Sequence, residues 1–198
     1  MSDRSVEDVQ RAVRKRYAEV CWSVAGKFQY PTGKAGAAAL GYDLSALSDV
    51  PDQVSEAFCG VGNPFALGPI RAGEKVLDVG CGAGLDMILA SRLVGPNGRV
   101  CGIDLTPEMA DKARTSLGKA GANNASAVVA ASEAIPYDDD SFDVVISNGV
   151  LNLSPLKERS LREIFRVLKP AGRLQVADII QNEDLPQDVA NNLDAWSD

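Results

Sequence analysis

The chain has 198 residues, of which 45% are hydrophobic, and its 27 acidic and 20 basic side chains give a formal net charge of −7. This acidic balance excludes a broad nucleic-acid surface, which needs clustered Lys and Arg, and no apolar run approaches the ~20 residues of a membrane span. The sequence contains no histidine, so histidine-based nucleophile schemes and histidine metal ligands are excluded as well.

The first predicted element is a helix over residues 5–21. Ser5 and Asp8 resemble a capping box at its start. Apolar side chains recur every three or four positions and predict one buried face, formed by Val6, Val9, Val13, Tyr17 and Val20. The chain leads into this polar helix without a signal peptide, so we expect a cytoplasmic protein.

The chain that follows is less regular. We predict irregular structure over residues 23–50, which are rich in Gly, Ala and Ser, and a short helix over 51–59. Asn63 and Pro64 mark a further helix start, with Asn as the N-cap and Pro at the first helical position. Residues 1–70 are therefore predicted to form a helical and irregular lid.

A glycine-rich turn is the most informative motif. Residues 76–84 read Val-Leu-Asp-Val-Gly-Cys-Gly-Ala-Gly, which predicts a strand over 75–79 and a helix over 83–93. This is the strand, turn and helix that open a nucleotide-binding α/β unit. A dinucleotide fingerprint would have a glycine where Leu85 stands, and pyrophosphate needs an open helix N-terminus. The turn therefore favours a ligand without phosphate.

An acidic residue follows at the spacing expected for ribose recognition. The second predicted strand covers residues 99–103, and Asp104 comes directly after it. One carboxylate can accept hydrogen bonds from two ribose hydroxyls, which predicts that Asp104 binds the ribose. The alternative is that Asp104 caps the next helix, although Thr106 is the better cap by position.

The rest of the chain continues the alternation of strands and helices. Strands are predicted over 126–130, 142–147 and 173–180, helices over 107–120, 155–168 and 185–196, and a turn over 169–172. The strands are rich in Val, Ile and Ala, which is typical of parallel strands buried on both faces. Right-handed crossovers then predict a doubly wound, mostly parallel α/β sheet.

The sequence over 76–84 resembles the first motif of the class I methyltransferases. The resemblance implies a Rossmann-like core over residues 71–198 and S-adenosylmethionine (SAM) as the cofactor. The antiparallel strand pair that closes the sheet in this class has no counterpart after the helix predicted over 185–196. The implied cofactor-binding residues are Asp78, Gly80, Cys81, Gly82, Gly84, Asp104, Leu105, Ser132, Glu133 and Asn148.

Two of these positions, Asp78 and Glu133, carry alternatives that bear on the cofactor. Asp78 is expected near the methionine ammonium, or else as a structural carboxylate of the turn. The acid that usually accepts from the adenine amino group is replaced by Ala131, so the backbone N–H of Ser132 is expected to reach the ring instead. Glu133 contributes there, or instead caps or faces solvent.

Further segments are similar to the arsenite methyltransferase branch of this class. They lie at residues 40–42, 62–67, 94–100, 104–109 and, most specifically, 146–155. That branch methylates trivalent arsenic held by cysteine thiolates, which suit a soft metalloid. Two of the branch's cysteine positions hold Val61 and Gly149 in this chain, and these departures weaken the case for an arsenic substrate.

The four cysteines form no C-x-x-C pair. Cys81 and Cys101 are expected to pack in the turn and the core, whereas Cys21 and Cys59 are either As(III) thiolates or buried structural cysteines. The candidate catalytic residues are Asn148, Cys21 and Cys59; for Asn148 the alternative is a turn residue.

Three hypotheses about function therefore stay open. In each, the ligand is a small molecule or a metalloid, and neither nucleic acid nor a membrane is expected as a partner. The first is arsenite methylation. The second is methylation of a small organic substrate in a pocket of Asn148, Tyr17, Phe28 and Tyr30. The third is SAM binding without turnover.

Overall fold

A computed structural model describes residues 5–48 and 50–180. Five parallel strands form one sheet in the order β3-β2-β1-β4-β5. Their bounds are Lys75–Val79 (β1), Arg99–Asp104 (β2), Ala125–Val129 (β3), Phe142–Asn148 (β4) and Leu168–Ala177 (β5). The strand order reverses between β1 and β4, so the predicted doubly wound sheet is confirmed. Ligands of such sheets bind at the carboxyl ends of the strands where the order reverses.

Within the described residues, six α-helices accompany the sheet. They are Val6–Trp22 (α1), Gly33–Ala39 (α2), Asp52–Ser55 (α3), Leu85–Val94 (α4), Pro107–Lys119 (α5) and Lys157–Val167 (α6), with 3-10 turns at Leu44–Leu47, Pro64–Leu67 and Leu151–Leu153. Central strand residues such as Val76, Val79 and Val144 are fully buried, as expected for strands covered on both faces. None of the described helices is both long and apolar enough to cross a membrane.

The predicted N-terminal helix is confirmed as α1. The Ser5 hydroxyl oxygen accepts from the Asp8 N–H at 3.1 Å and donates to the Asp8 carboxylate at 2.8 Å. The apolar face buries Val9, Val13 and Val20, and the helix contacts α5. The N-terminal segment is thereby seated beside the carboxyl ends of the central strands.

The prediction of irregular chain over residues 23–50 is wrong at Gly33–Ala39 and Leu44–Leu47 and holds for most of the other described residues. The segment contains α2 and a 3-10 turn. Alanines favour this helix, but its buried face is made of small residues, so no apolar stripe marks it in the sequence. The backbone of Gly36 lies so close to the Pro31 carbonyl that a Cβ would overlap it. The short helix predicted over 51–59 is a single turn, α3.

The Asn63–Pro64 start is confirmed, although it begins a 3-10 turn rather than an α-helix. The Asn63 side chain accepts from the Phe65 N–H at 3.0 Å.

The last strand is displaced from its predicted range of 173–180. In β5, Leu168 pairs with Phe142 and Arg173 with Val144, so the predicted turn over 169–172 interrupts the strand instead of preceding it. Ala171 takes a φ of +65° in this interruption. The helix predicted over 155–168 is confirmed as the shorter α6, and the one predicted over 185–196 lies outside the described residues.

Candidate functional site

The glycine turn between β1 and α4 adopts backbone angles that favour glycine. Gly80, Gly82 and Gly84 have φ values of +76°, +50° and +92°. The N–H groups of Gly80 and Cys81 both donate to the Ile103 carbonyl, at 2.8 and 2.9 Å. A Cβ on Gly80 would overlap the Val150 side chain, whereas one on Gly82 would meet open space. The turn is thus fixed to β2 and leaves Gly82 open to a ligand.

Asp104 connects the glycine turn to the start of α5. Its Oδ2 accepts from the Gly82 N–H at 2.9 Å and its Oδ1 from the Thr106 N–H at 2.8 Å. Burial raises the pKa of this carboxyl to about 6, against the lowering effect of the two hydrogen bonds. Thr106 occupies the N-cap position without a capping side-chain hydrogen bond. Each carboxylate oxygen can accept a second bond, so this structural role and ribose binding are compatible.

Two connected clefts lie on either side of the glycine turn. The larger encloses about 740 Å³ and contains most of the predicted cofactor residues: Gly80, Gly82, Asp104, Leu105, Ser132, Glu133 and Asn148. The smaller encloses about 410 Å³ and is lined by Asp78 and Cys81 among others. Cys59, Gly80, Gly82 and Asn148 line both. Of the predicted set, only Gly84 lines neither cleft; a Cβ there would lie 3.3 Å from Ala113 Cα.

The clefts are acidic. Asp78 is only 2% exposed, and its Oδ2 has no hydrogen-bond partner among the described residues. Burial, reinforced by the charges of Asp86 and Asp104, raises the pKa of Asp78 well above its usual value. Among residues 5–48 and 50–180, no Lys or Arg lines either cleft. Such a site suits a ligand with positive charge and opposes phosphate.

Asp86 is a site residue that sequence reasoning missed. It lies in the first turn of α4, where an acidic side chain usually complements the helix dipole at the surface. Here it is 7% exposed, and its oxygens accept from the Tyr42 hydroxyl at 2.8 Å and from the Asn148 amide at 3.3 Å. Burial raises its pKa to about 6, opposed by these two bonds. No local pattern reveals a partner 62 positions away.

Ser132 and Glu133 lie at the other end of the larger cleft. Glu133 is 6% exposed and its Oε1 accepts from the Ser154 hydroxyl at 2.7 Å. The alternative in which Glu133 faces solvent is therefore wrong, because the residue is buried and its carboxylate is bonded by the Ser154 hydroxyl. Ser132 shares a hydrogen bond of 2.8 Å with Ser160 of α6.

The two N-terminal cysteines differ in position. Cys59 lines both clefts, and burial raises its pKa to about 12. Cys21 lines neither of them; its thiol donates to the Glu108 carbonyl at 3.4 Å, and burial raises its pKa as well. Both side chains lie at one apolar cluster with Met109. Cys101 is buried in the core, as predicted.

The three lid aromatics form a row of which one member lines the cleft. Tyr17 lines the larger cleft, Phe28 lies 6.5 Å from it between ring centroids, and Tyr30 lies 5.1 Å from Phe28. The Tyr30 hydroxyl donates to the Cys59 carbonyl at 3.1 Å. The pocket predicted from these rings is therefore formed by Tyr17, with the other two as its support.

The two positions that lack the expected cysteines are neighbours in space. A Cβ built on Gly149 would lie 3.3 Å from Val61 Cγ1, and Gly149 lines the larger cleft. Val61 and Gly149, which stand where cysteines are expected, therefore lie at one place in the fold, and that place is apolar in this chain.

Comparisons with known proteins identify the family of the chain. A family model described as a methyltransferase domain matches residues 70–197. The arsenite methyltransferase of Halobacterium salinarum is 38% identical, covering 98% of this chain and 53% of that protein. The ubiquinone/menaquinone biosynthesis C-methyltransferase UbiE of Pasteurella multocida is 43% identical over 55% of this chain and 41% of its own length.

A crystal structure is also similar. It is that of CrArsM, an arsenic(III) S-adenosylmethionine methyltransferase from Chlamydomonas reinhardtii, which is 36% identical with a TM-score of 0.67 and covers 80% of this chain and 53% of its own. This chain therefore spans about half the length of the arsenite methyltransferases that it matches.

Proposed function

The chain belongs to the methyltransferase domain family, and on that premise we propose that it binds SAM and transfers the methyl group to a small acceptor. The observation that carries the proposal is the glycine turn, fixed between β1 and α4 and bordered by buried carboxylates with no basic side chain among the described cleft residues. SAM carries a sulfonium, an ammonium and an adenosine without phosphate, which matches this charge and this turn. When bound, it supplies an electrophilic methyl group.

Different residues of the clefts are suited to different parts of SAM. The unpartnered Oδ2 of Asp78 is suited to accept from the ammonium, since a buried carboxylate gains most from a charged donor. Asp104 retains acceptor capacity for the ribose hydroxyls. Leu105 supplies an apolar wall, and the Ser132 backbone and Glu133 lie at the end left for the adenine. Catalysis then depends mainly on proximity and on alignment of the acceptor with the sulfonium methyl group.

We propose a small organic molecule as the acceptor. The support for this class is the contact between Val61 and Gly149, which puts an apolar surface where two thiols would be needed for arsenic. Of the four cysteines, only Cys59 lines the larger cleft, and a single thiol is a poor ligand set for a metalloid that prefers two or three. Tyr17 at the cleft wall suits an organic ring.

Arsenite is the second candidate, because two of the similar proteins are named as arsenic methyltransferases. SAM binding without turnover is the third. The cytoplasmic location stays a prediction.

A turnover assay distinguishes these candidates. The protein is incubated with SAM and either arsenite plus thiol or a panel of small organic nucleophiles that includes quinols, and formation of S-adenosylhomocysteine (SAH) is measured. We expect turnover with an organic acceptor and none with arsenite. Turnover with arsenite alone would overturn the proposed acceptor class, and binding of SAH with no turnover on any acceptor would favour the third candidate.

A further inference from the structure

Asn148 lies at the carboxyl end of β4, and every hydrogen-bonding position of its side chain is occupied by groups of the same chain. Its Oδ1 accepts from the N–H groups of Val61 and Gly62, at 2.9 and 3.1 Å. Its Nδ2 donates to the Gly62 carbonyl at 2.9 Å, and the Tyr42 hydroxyl and Asp86 Oδ2 lie within 3.1 and 3.3 Å. An amide has two donor hydrogens and two acceptor positions, so this one keeps none for an acceptor substrate.

Tyr42 and Asp86 complete the network from two other elements. Tyr42 follows α2 in the lid, and its hydroxyl donates to Asp86 Oδ1 at 2.8 Å. Both side chains are buried. A buried carboxylate is costly unless its hydrogen bonds are satisfied, and here each Asp86 oxygen has a donor. The network therefore links lid, glycine-turn helix and sheet through side chains far apart in sequence.

The lid segment 60–62 is shaped to lie on the strand ends. A Cβ on Gly60 would lie 2.7 Å from Asn148 Cγ, and a Cβ on Gly62 would lie 2.5 Å from the Ala177 Cβ at the end of β5. Side chains at either position would lift the segment from the sheet. Residues 60–62 are therefore held in two ways, by close packing against the strand ends and by hydrogen bonds to Asn148.

We propose that Tyr42, Asp86 and Asn148 form a buried clamp that holds residues 60–62 across the carboxyl ends of β4 and β5. The clamp positions Cys59, which precedes the segment and lines both clefts, over the glycine turn. Asn148 is then a positioning residue rather than a catalytic one. The effect of the clamp on ligand affinity rests on the proposed SAM binding, whereas its effect on the lid does not.

Hydrogen exchange and calorimetry test the clamp together. The amide exchange of Val61 and Gly62 is measured in the ligand-free protein, and SAH affinity is measured by titration, for D86N, N148D and the D86N/N148D double variant. Each single change breaks the donor–acceptor match between residues 86 and 148, and N148D also removes the donor of the Gly62 carbonyl. We expect the single variants to exchange ~10-fold faster at these amides and to bind SAH ~10-fold more weakly, the scale of one lost buried hydrogen bond. The double change reverses the bond between residues 86 and 148 but leaves the Gly62 carbonyl without its donor, so its loss should be smaller than the sum of the two single losses.

Controls separate the clamp from general destabilisation. D143N changes a carboxylate of β4 that accepts from the Lys75 N–H, away from the clamp, and should leave exchange at residues 61 and 62 unchanged. Gly60→Ala should disturb the segment, whereas Gly118→Ala, which meets open space, should not. Tyr42→Phe removes only a hydroxyl and serves if a single Asp86 or Asn148 variant fails to fold.

The outcomes decide between the two proposals. Wild-type exchange at residues 61 and 62 in the single variants, or single losses that simply add in the double variant, would overturn the clamp. If exchange responds as expected but SAH does not bind the wild-type protein, the clamp stands and the proposed function fails.

Discussion

The glycine turn and the lid segment 60–62 border the same clefts, but the chain fixes them in different ways. The turn is held by neighbouring backbone groups, such as the Gly80 and Cys81 N–H groups on the Ile103 carbonyl. The lid segment is held by one side chain 86 or 87 positions away. A feature fixed by local backbone geometry leaves a motif in the sequence, whereas one fixed by a distant side chain does not.

The largest expected effect is on the turn. Gly80→Ala places a Cβ against Val150 at a φ of +76°, so it should lower the free energy of unfolding by ~2–4 kcal/mol and abolish SAH binding. Urea unfolding and calorimetry measure the two effects. Gly82→Ala is the matched control, since it shares the positive φ but meets open space, and should cost only ~1 kcal/mol. Equal losses in both variants would show that the overlap with Val150 is unimportant.

Asp104 sharpens the comparison, because it accepts from the Gly82 N–H of the turn and is proposed to bind the ribose as well. If it does so, we expect Asp104→Ala to weaken SAH binding by ~1–3 kcal/mol, since the ribose hydroxyls and the Gly82 N–H would lose their acceptor. Calorimetry on the folded variant gives the value. Unchanged affinity would assign Asp104 to the helix start alone.

The carboxylates of Asp78 and Asp86, which are buried, and of Asp104, which is half-buried, predict how stability varies with pH. Burial raises all three pKa values, to about 6 for Asp86 and Asp104, above the ~4 expected in the unfolded chain. The contribution of these three groups to the free energy of unfolding is therefore fully present below pH ~4 and is lost as the pH rises through ~6. Urea unfolding of the ligand-free protein should show a loss on the order of 2 kcal/mol between pH 5.5 and 7.5. A free energy that is constant or increases over this range would contradict the pKa assignment.

The smallest effect is expected at the two N-terminal cysteines. Cys21 donates to a backbone carbonyl away from the clefts, so Cys21→Ser should leave SAH affinity and turnover of an organic acceptor within about twofold of wild type. Cys59 lines both clefts, but Cys59→Ser changes a single atom, and with an organic acceptor that needs no thiolate its effect should be as small. Turnover assays on both variants check this. Arsenite-dependent turnover that either substitution abolishes would restore the thiolate interpretation.

The sequence predicted the sheet because its signals are local. Apolar strands, positive-φ glycines and the acidic end of β2 each occupy a few consecutive positions, and β1 was predicted with its observed bounds. The errors share another cause. The alanines of α2 carry no apolar stripe, and the burial of Asp86 depends on Tyr42 and Asn148 from other elements. The neighbouring positions of Val61 and Gly149 likewise follow only from the fold.

One measurement tests the central claim most directly, namely calorimetric titration of the full chain with SAH and, separately, with NAD. The glycine turn without a third glycine, the unpartnered Asp78 carboxylate and the lack of basic residues among the described lining of the clefts predict one SAH bound per chain and no response to NAD. Binding of NAD with no response to SAH would contradict the account.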